Sequence, residues 1–260
     1  MKSDTINRIV WFIPFKWLRN SIRNKLLYIE KIKWINNCEK IYNKLNTSNR
    51  FKIESKNNWY ILSDNTESTP FDTHYLYHVA WASRCLSIIN PKKHIDISSS
   101  LNFSTISSAF IDIDFYDYRP ANIYNLSGFN SLKANLTKLH FEDNSIESIS
   151  CMHVIEHIGL GRYGDEIDPN GDIKAINELK RVIKKHGYIL FVVPIGKPRL
   201  QFNAHRIYSY DMIINYFNTF ELINYSLIPD NAYEVGIINN ASKELTDKQN
   251  YGCGCFLFKK

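Results

Sequence analysis

Between residues 73 and 258 the chain alternates stretches of helical and of strand character, and this alternation limits its fold more than any other feature. Residues 73–89 carry Leu76, Val79, Ala80 and Leu86 on one helical face, with Asp72 or Thr73 as the cap. Residues 94–100 (HIDISSS) and 111–116 (IDIDFY) read as strands, and 146–152 as another, entered by a tight Asp143-Asn144 turn. A helix is expected over 172–185. Ile173, Ile176, Leu179, Val182 and Ile183 share one face, Lys184, Lys185 and His186 suit its negative end, and Gly187 closes it. Tyr188 to Val193 is continuously apolar and stops at Pro194. A short helix over 210–217 and an antiparallel pair, 222–227 with 251–258, complete the pattern, and 230–250 reads as an edge loop. Such an order predicts a doubly wound, mostly parallel α/β sheet.

With 260 residues, 44% hydrophobic and 14% aromatic, the chain can bury one such core and carry an appendage. Charge divides it. Residues 1–52 hold twelve Lys and Arg against three acids, a net +9, which leaves the rest of a +6 chain at −3. We therefore read 1–58 as a basic helical N-terminal appendage, with 45–58 as its linker, and 59–260 as the α/β domain. The apolar run from Ile9 to Phe15 is interrupted by Pro14 and is far shorter than the about 20 residues of a membrane span. No small-residue cleavage site of a secretory signal comes after it. Beyond it Leu18, Ile22, Leu26 and Ile29 recur at helical spacing beside Trp17, Lys16, Arg19, Arg23 and Lys25. That pattern fits a helix on an anionic membrane surface, and equally a helix packed on a core with its cations in water. Nothing in the main domain resembles a nucleic-acid platform. Five cysteines, an odd number, predict reduced thiols in the cytoplasm. Cys253-Gly254-Cys255 lacks the second pair usual in zinc sites and reads as small residues of a buried strand.

The chemistry concentrates in residues 132–161, LKANLTKLHFEDNSIESISCMHVIEHIGLG, and in residues 162–206 beyond them. Glu156-His157 falls just past a strand's carboxyl end, where open α/β sheets bind ligands. His153-Val154-Ile155-Glu156-His157 also spells H-x-x-E-H, but that zinc pattern needs both histidines on one helix face. Here the flanks read as strand and turn, so no metal ligand is assigned. Gly159, Gly161 and Gly164 permit a tight loop presenting Arg162, Tyr163 and Asp165, and a long loop here tends to be functional. After the next strand come Asn203, His205 and Arg206. His205 titrates near working pH and can take a proton from an acceptor hydroxyl. Arg206 can clamp a phosphate or carboxylate.

The order of polar turn, strand and Glu-His pair resembles the class I S-adenosylmethionine-dependent methyltransferase superfamily. The run EHIGLGRYGD, within a likeness reaching from about Thr73 to the end, resembles a branch often encoded among bacterial surface-polysaccharide genes. The resemblance implies a seven-stranded Rossmann-like sheet, S-adenosylmethionine as cofactor, and a cytoplasmic site of action, at the inner face of the membrane should the appendage bind there. It implies that Asp96, the first strand's acid, binds the cofactor together with Ser98 and Ser99 of the Ser98-Ser99-Ser100 turn, which stands where glycines are usual. Asp117, or Asp114 in second place, would hold the ribose hydroxyls. Asn135 would accept from the adenine amino group, Leu136 would lie on the adenine face, and Glu156 would border the cofactor. His205, His157, Arg162, Tyr163 and Asp165 are the catalytic candidates, and Asn203 and Arg206 would bind substrate. The implied reaction is methyl transfer to a glycan or sugar nucleotide in surface-polysaccharide synthesis. The rivals are a degenerate, non-catalytic domain binding a partner or glycan enzyme, favoured by the serine turn, and another transferase reaction of polysaccharide assembly. No oligomeric state can be read from these residues.

Overall fold

In a computed structural model of the chain, residues 3–48 and 50–260 are described, so that Met1, Lys2 and Asn49 of the expected appendage lie outside the described residues. The chain divides into two compact units between Pro70 and Phe71. In the first, α1 (Ser3–Val10) and α2 (Lys16–Leu45) are separated at Pro14, which has no N–H to continue a helix. The segment after α2 is tied back to it. Tyr42 Oη and Asn46 Nδ2 both donate to the Phe51 carbonyl, at 2.9 and 2.6 Å. Glu39 Oε1 accepts from Asn58 Nδ2 and Tyr60 Oη, each at 2.8 Å. Among the described residues no helix is long and apolar enough to cross a membrane.

The second unit runs α3 (Thr73–Ile89), β1 (Lys93–Ile97), α4 (Leu101–Ser107), β2 (Asp112–Asp117), β3 (Phe129–Lys133), β4 (Ile146–Met152), a 3-10 turn (Ile155–His157) and α5 (Gly171–Val182). It continues with β5 (Ile183–Ile195), β6 (Arg199–Gln201), β7 (His205–Ile207), α6 (Tyr210–Tyr216), β8 (Glu221–Ile228), α7 (Ala232–Val235), β9 (Ile238–Asn239), α8 (Lys243–Asp247) and β10 (Gly252–Lys259). The main sheet has the order β3-β2-β1-β4-β5-β10-β8-β9, and β6 and β7 form a separate ribbon. Pairing is parallel from β3 to β5 and antiparallel beyond. The α/β class and the mostly parallel sheet are as the alternation predicts.

Helices cover both faces. Ile189, Phe191, Val193 and Ile195 of β5 pack with Ala175, Ile176, Leu179 and Val182 of α5. Leu190 and Val192 point the other way, to Trp81, Ala82, Cys85 and Leu86 of α3. A strand buried on both faces has no polar side to alternate with. Each fully buried aliphatic side chain here contributes about 1.5–3 kcal/mol.

Two expectations need correction. The sheet has eight strands, not seven. The extra one, β9, lies in the polar segment read as a loop, where Ser226 Oγ donates to Asn239 Oδ1 at 2.9 Å and α7 and α8 flank it. The helix expected to reach Lys185 stops at Val182, because the Asn144 and Ser145 N–H groups take the carbonyls of Arg181 and Val182 at 3.0 and 2.9 Å. Lys260 Nζ caps Lys180 and Ile183 carbonyls, both at 2.8 Å. His205 begins the short strand β7.

Candidate active site

The carboxyl ends of β1, β2 and β4 converge on one edge. β1 is held by a buried polar chain through its neighbour. His94 Nδ1 lies 2.8 Å from Ser148 Oγ, its Nε2 2.8 Å from Ser150 Oγ, and Ser150 donates to Asp96 Oδ1 at 2.6 Å. Ser104 Oγ donates to the other Asp96 oxygen. With Asp96 ionised, the Ser150 proton is spent on it, so Nε2 carries the His94 hydrogen. Burial pushes Asp96 up to about 6 against the hydroxyls of Ser104, Ser150 and Ser99. It is fully enclosed, so Asp96 braces the turn and touches no open space, contrary to its expected place against the cofactor.

The turn keeps a glycine-like shape without glycine. Ser98 sits at φ +53°, its N–H and Oγ both donating to the Tyr116 carbonyl at 2.8 and 3.0 Å. Ser99 Oγ accepts from the Met152 N–H at 3.0 Å, which joins the turn to β4. Asp117 ends β2, with Oδ1 accepting from the Arg119 N–H at 2.6 Å. Asn135 Oδ1 is already engaged by Thr137, N–H at 3.0 Å and Oγ1 at 2.8 Å, so its expected adenine contact would compete with that turn. Leu136 is buried and borders a groove of about 530 Å³ together with Ser98, Asn135, Val154, Tyr163 and Asp165.

The loop after the Glu156-His157 turn is organised by Asp165. Its carboxylate accepts from the N–H groups of Gly159 (2.8 Å), Tyr163 (3.1 Å) and Gly161 (3.4 Å). Burial alone would raise its pKa, but the Tyr163, Gly159 and Gly161 amides together hold it below the usual range. Asp165 therefore shapes the loop. A Cβ on Gly159, at φ +77°, would stand 2.1 Å from the Asp168 carbonyl oxygen, so only glycine closes the turn. Arg206 likewise departs from its expected role. It donates to the carbonyls of Ile158 (2.7 Å) and Pro169 (3.3 Å) and lies 3.6 Å from Asp172, clamping the loop from beneath. The exposed Tyr163 ring lies under the Arg119 and Arg162 guanidinium groups, at 4.8 and 5.2 Å.

Beside this edge opens a cleft of about 1110 Å³, walled by His74, Tyr75, His153, Glu156, His157, Arg162, Asn203, His205 and Tyr251. His157 Nδ1 donates to the Ala204 carbonyl at 2.6 Å, and Arg162 donates to the same oxygen at 3.1 Å. Asn203, exposed, reaches the Leu160 carbonyl at 3.5 Å. Glu156 is 1% exposed and faces the cleft. Its Oε1 accepts from His153 Nδ1 at 2.9 Å and lies 3.7 Å from His157 Nε2, while Oε2 has no partner among the described residues. Burial pushes Glu156 up to about 7, against the pull of His157. Burial lowers His153 to about 4 and depresses His157 and His205 as well. The histidines are thus neutral at pH 7, and the His153–Glu156 contact is a hydrogen bond from a neutral ring. His205 stands 6.2 Å from His157 and 5.1 Å from Tyr251, ring to ring, with Nε2 unpartnered.

A space of about 190 Å³ is lined by Ser98, Asp117 and Tyr163 together with His153 and His157, which also line the cleft. Sequence reasoning did not foresee the share of His153, Tyr251 and Cys253 in this region. Cys253 lies a hundred residues from His153 and reaches it only because β10 pairs with β5.

Residues 125–253 match the family described as Caenorhabditis protein of unknown function, DUF268. An uncharacterized protein of Methanocaldococcus jannaschii is 27% identical over 103 residues, which are 38% of this chain and 39% of that one. The chain thus spans about two fifths of the length of the curated relative it matches. Among solved structures, the Burkholderia thailandensis 1,6-didemethyltoxoflavin-N1-methyltransferase, with bound 1,6-didemethyltoxoflavin and S-adenosylhomocysteine, is 10% identical at a TM-score of 0.50. That match covers 70% of this chain and 78% of the other. A Thermotoga maritima S-adenosylmethionine-dependent methyltransferase, possible histamine N-methyltransferase, is 14% identical at 0.49, over 72% and 90%. The α/β unit has the class I methyltransferase fold.

Proposed function

We propose that the chain transfers a methyl group from S-adenosylmethionine to a hydroxyl of a glycan or sugar nucleotide. The observation that carries this is the 190 Å³ space, which brings Ser98 of the β1 turn and Asp117 up against His153 and His157, two neutral histidines of the cleft. The residues present fit the cofactor in one respect that matters. Ser98 holds the left-handed turn that lets backbone approach a ligand closely, and Asp117 offers a carboxylate at the β2 end. Asn135, Leu136 and Ser99 would complete that side. When bound, the cofactor supplies an electrophilic methyl group.

The chain's own part is to position, to exclude water and to take one proton. His205, kept neutral by burial, lines the cleft, and its Nε2, buried and unpartnered in this structure, would turn to accept the acceptor's hydroxyl proton. Glu156 and His157 orient the wall, and Arg162 and Tyr163 close the loop side. A sugar suits the wide, polar cleft, because the half-exposed Tyr75 and Tyr251 offer flat faces between the polar groups. The surface-polysaccharide setting rests on the likeness of EHIGLGRYGD alone. For the first unit we propose contact with the inner face of an anionic membrane, because Trp11, Phe12, Phe15 and Trp17 are exposed beside Lys16 and Arg19.

A second reading, a binding module without catalysis, is favoured by Ser99, whose hydroxyl is already committed to Met152. Calorimetry with S-adenosylmethionine and S-adenosylhomocysteine separates the two. Binding that falls tenfold or more in Asp117→Ala supports the enzyme, since a charge-assisted bond is worth about 1.5–3 kcal/mol. No heat from the wild type up to millimolar ligand supports the module.

A further inference from the structure

Two side chains of the cleft wall and one buried behind them form a donor set that methyl transfer does not use. Three side chains from distant parts of the chain meet there: His74 from the first turn of α3, His153 from just past β4, and Cys253 from β10. One ligand atom from each lies within 4.8 Å of the others, and the edge between His153 Nε2 and Cys253 Sγ is 3.3 Å. We infer that His74, His153 and Cys253 form a binding site for a divalent transition metal of the zinc type, with a coordination position open to the cleft.

The chemistry of the second ring of contacts supports this. His153 gives its Nδ1 hydrogen to Glu156 at 2.9 Å, so the lone pair is left on Nε2, which faces the sulfur. A carboxylate behind a ligating histidine is how metal sites fix the ring and raise its basicity. Glu156 is nine-tenths buried and more, with Oε2 unpartnered, an arrangement that a nearby cation would stabilise. Asp72 and Asp230 line the same cleft and add negative charge facing His74. Two imidazoles and one thiolate are the borderline-soft donors that zinc prefers over calcium or magnesium. Zinc bonds of about 2.0–2.3 Å place tetrahedral donors roughly 3.3–3.7 Å apart, so the 3.3 Å edge is already formed, while the His74 ring, stacked on His153 at 5.5 Å with its ligand atom within 4.8 Å, must turn and move in to complete the set. On binding, the Cys253 S–H bond breaks, a metal–sulfur bond forms, and the proton leaves to water. The histidines bind as they stand, neutral. The site does not depend on the methyl-transfer reading, and metal binding can be read without any acceptor or cofactor.

The test uses the full chain, stripped with a chelator and titrated with Co²⁺, then with Zn²⁺ in competition. One Co²⁺ per chain should bind with a thiolate-to-cobalt charge-transfer band in the near ultraviolet, bleached by one equivalent of Zn²⁺. Cys253→Ser should abolish the band, and Cys255→Ser, on the same strand, should keep it. Because Cys253 is fully buried and its variant can fail to fold, His74→Ala at the half-buried helix start gives a second reading, with affinity down 100-fold or more. Glu156→Gln should weaken binding about 10- to 100-fold. Cobalt binding without the sulfur band, a band that survives in folded Cys253→Ser, unchanged affinity in His74→Ala, or no binding by the wild type below millimolar metal would each overturn the assignment.

Discussion

Lowering the pH from 7 to 5 tests the buried polar chain behind β1. His94 is fully buried, and burial depresses it from 6.5 to about 3. The sign depends on which state takes the proton first. As the pH falls through 6.5 the unfolded chain protonates while the folded one does not, so stability is whole above 6.5 and is lost progressively towards 3. At 1.36 kcal/mol per pH unit, the loss from this residue between pH 7 and 5 is about 2 kcal/mol. His94→Gln keeps a donor and an acceptor for Ser148 and Ser150 but cannot titrate. The comparison is therefore between slopes, and a general destabilisation of the variant cancels. Urea unfolding at the two pH values, read by hydrogen–deuterium labelling of β1 and β4, reports the second unit. Wild type should lose about 2 kcal/mol more than His94→Gln over the interval. Equal losses would mean that His94 titrates normally in the fold, and the reasoning from burial would fail.

Gly159→Ala puts a Cβ against the Asp168 carbonyl at φ +77°, so amide exchange in 159–168 should quicken while β5 stays protected; unchanged exchange would refute the closure. His205→Ala should lower turnover about 10²- to 10⁴-fold with little effect on cofactor affinity, and near-normal turnover with a known acceptor would remove it as the base. Trp11→Ala with Trp17→Ala should reduce sedimentation with anionic liposomes but not with neutral ones, and equal sedimentation would remove the membrane contact.

The fold was legible wherever burial is two-sided. Residues 188–193 have no polar position because α3 and α5 cover both faces of β5, and such a run is visible in one dimension. β3 and β9 were not legible. β3 lies at one edge, with Asn130, Leu132 and Lys133 open to solvent, so no pattern separates it from loop. β9 has two residues and is held by a side-chain bond from Ser226. The end of α5 was hidden for another reason. Its periodicity runs on to Ile183, but the carbonyls that would continue it are taken by Asn144 and Ser145, whose proximity is tertiary.

The site was legible only as far as the chain is local. Residues 153–165 announce a glycine-shaped loop at a strand's end, and Asp165 and Gly159 hold that loop through contacts six residues or fewer apart. Spacing cannot tell a loop-building carboxylate from a catalytic one, because both sit among glycines and both attract N–H groups. Arg206 shows the same limit. Its guanidinium would suit a phosphate, but Ile158, Pro169 and Asp172 arrive first, from elements 34 or more residues earlier. The reverse holds for His74, His153 and Cys253, whose spacing together matches no metal motif and which meet only when β10 inserts between β5 and β8. The last strand of the chain is thus what turns a parallel sheet's edge into a cleft with a donor set. A change there, at Gly252 or Gly254 for instance, would reach the site without touching any residue of the Glu156-His157 motif.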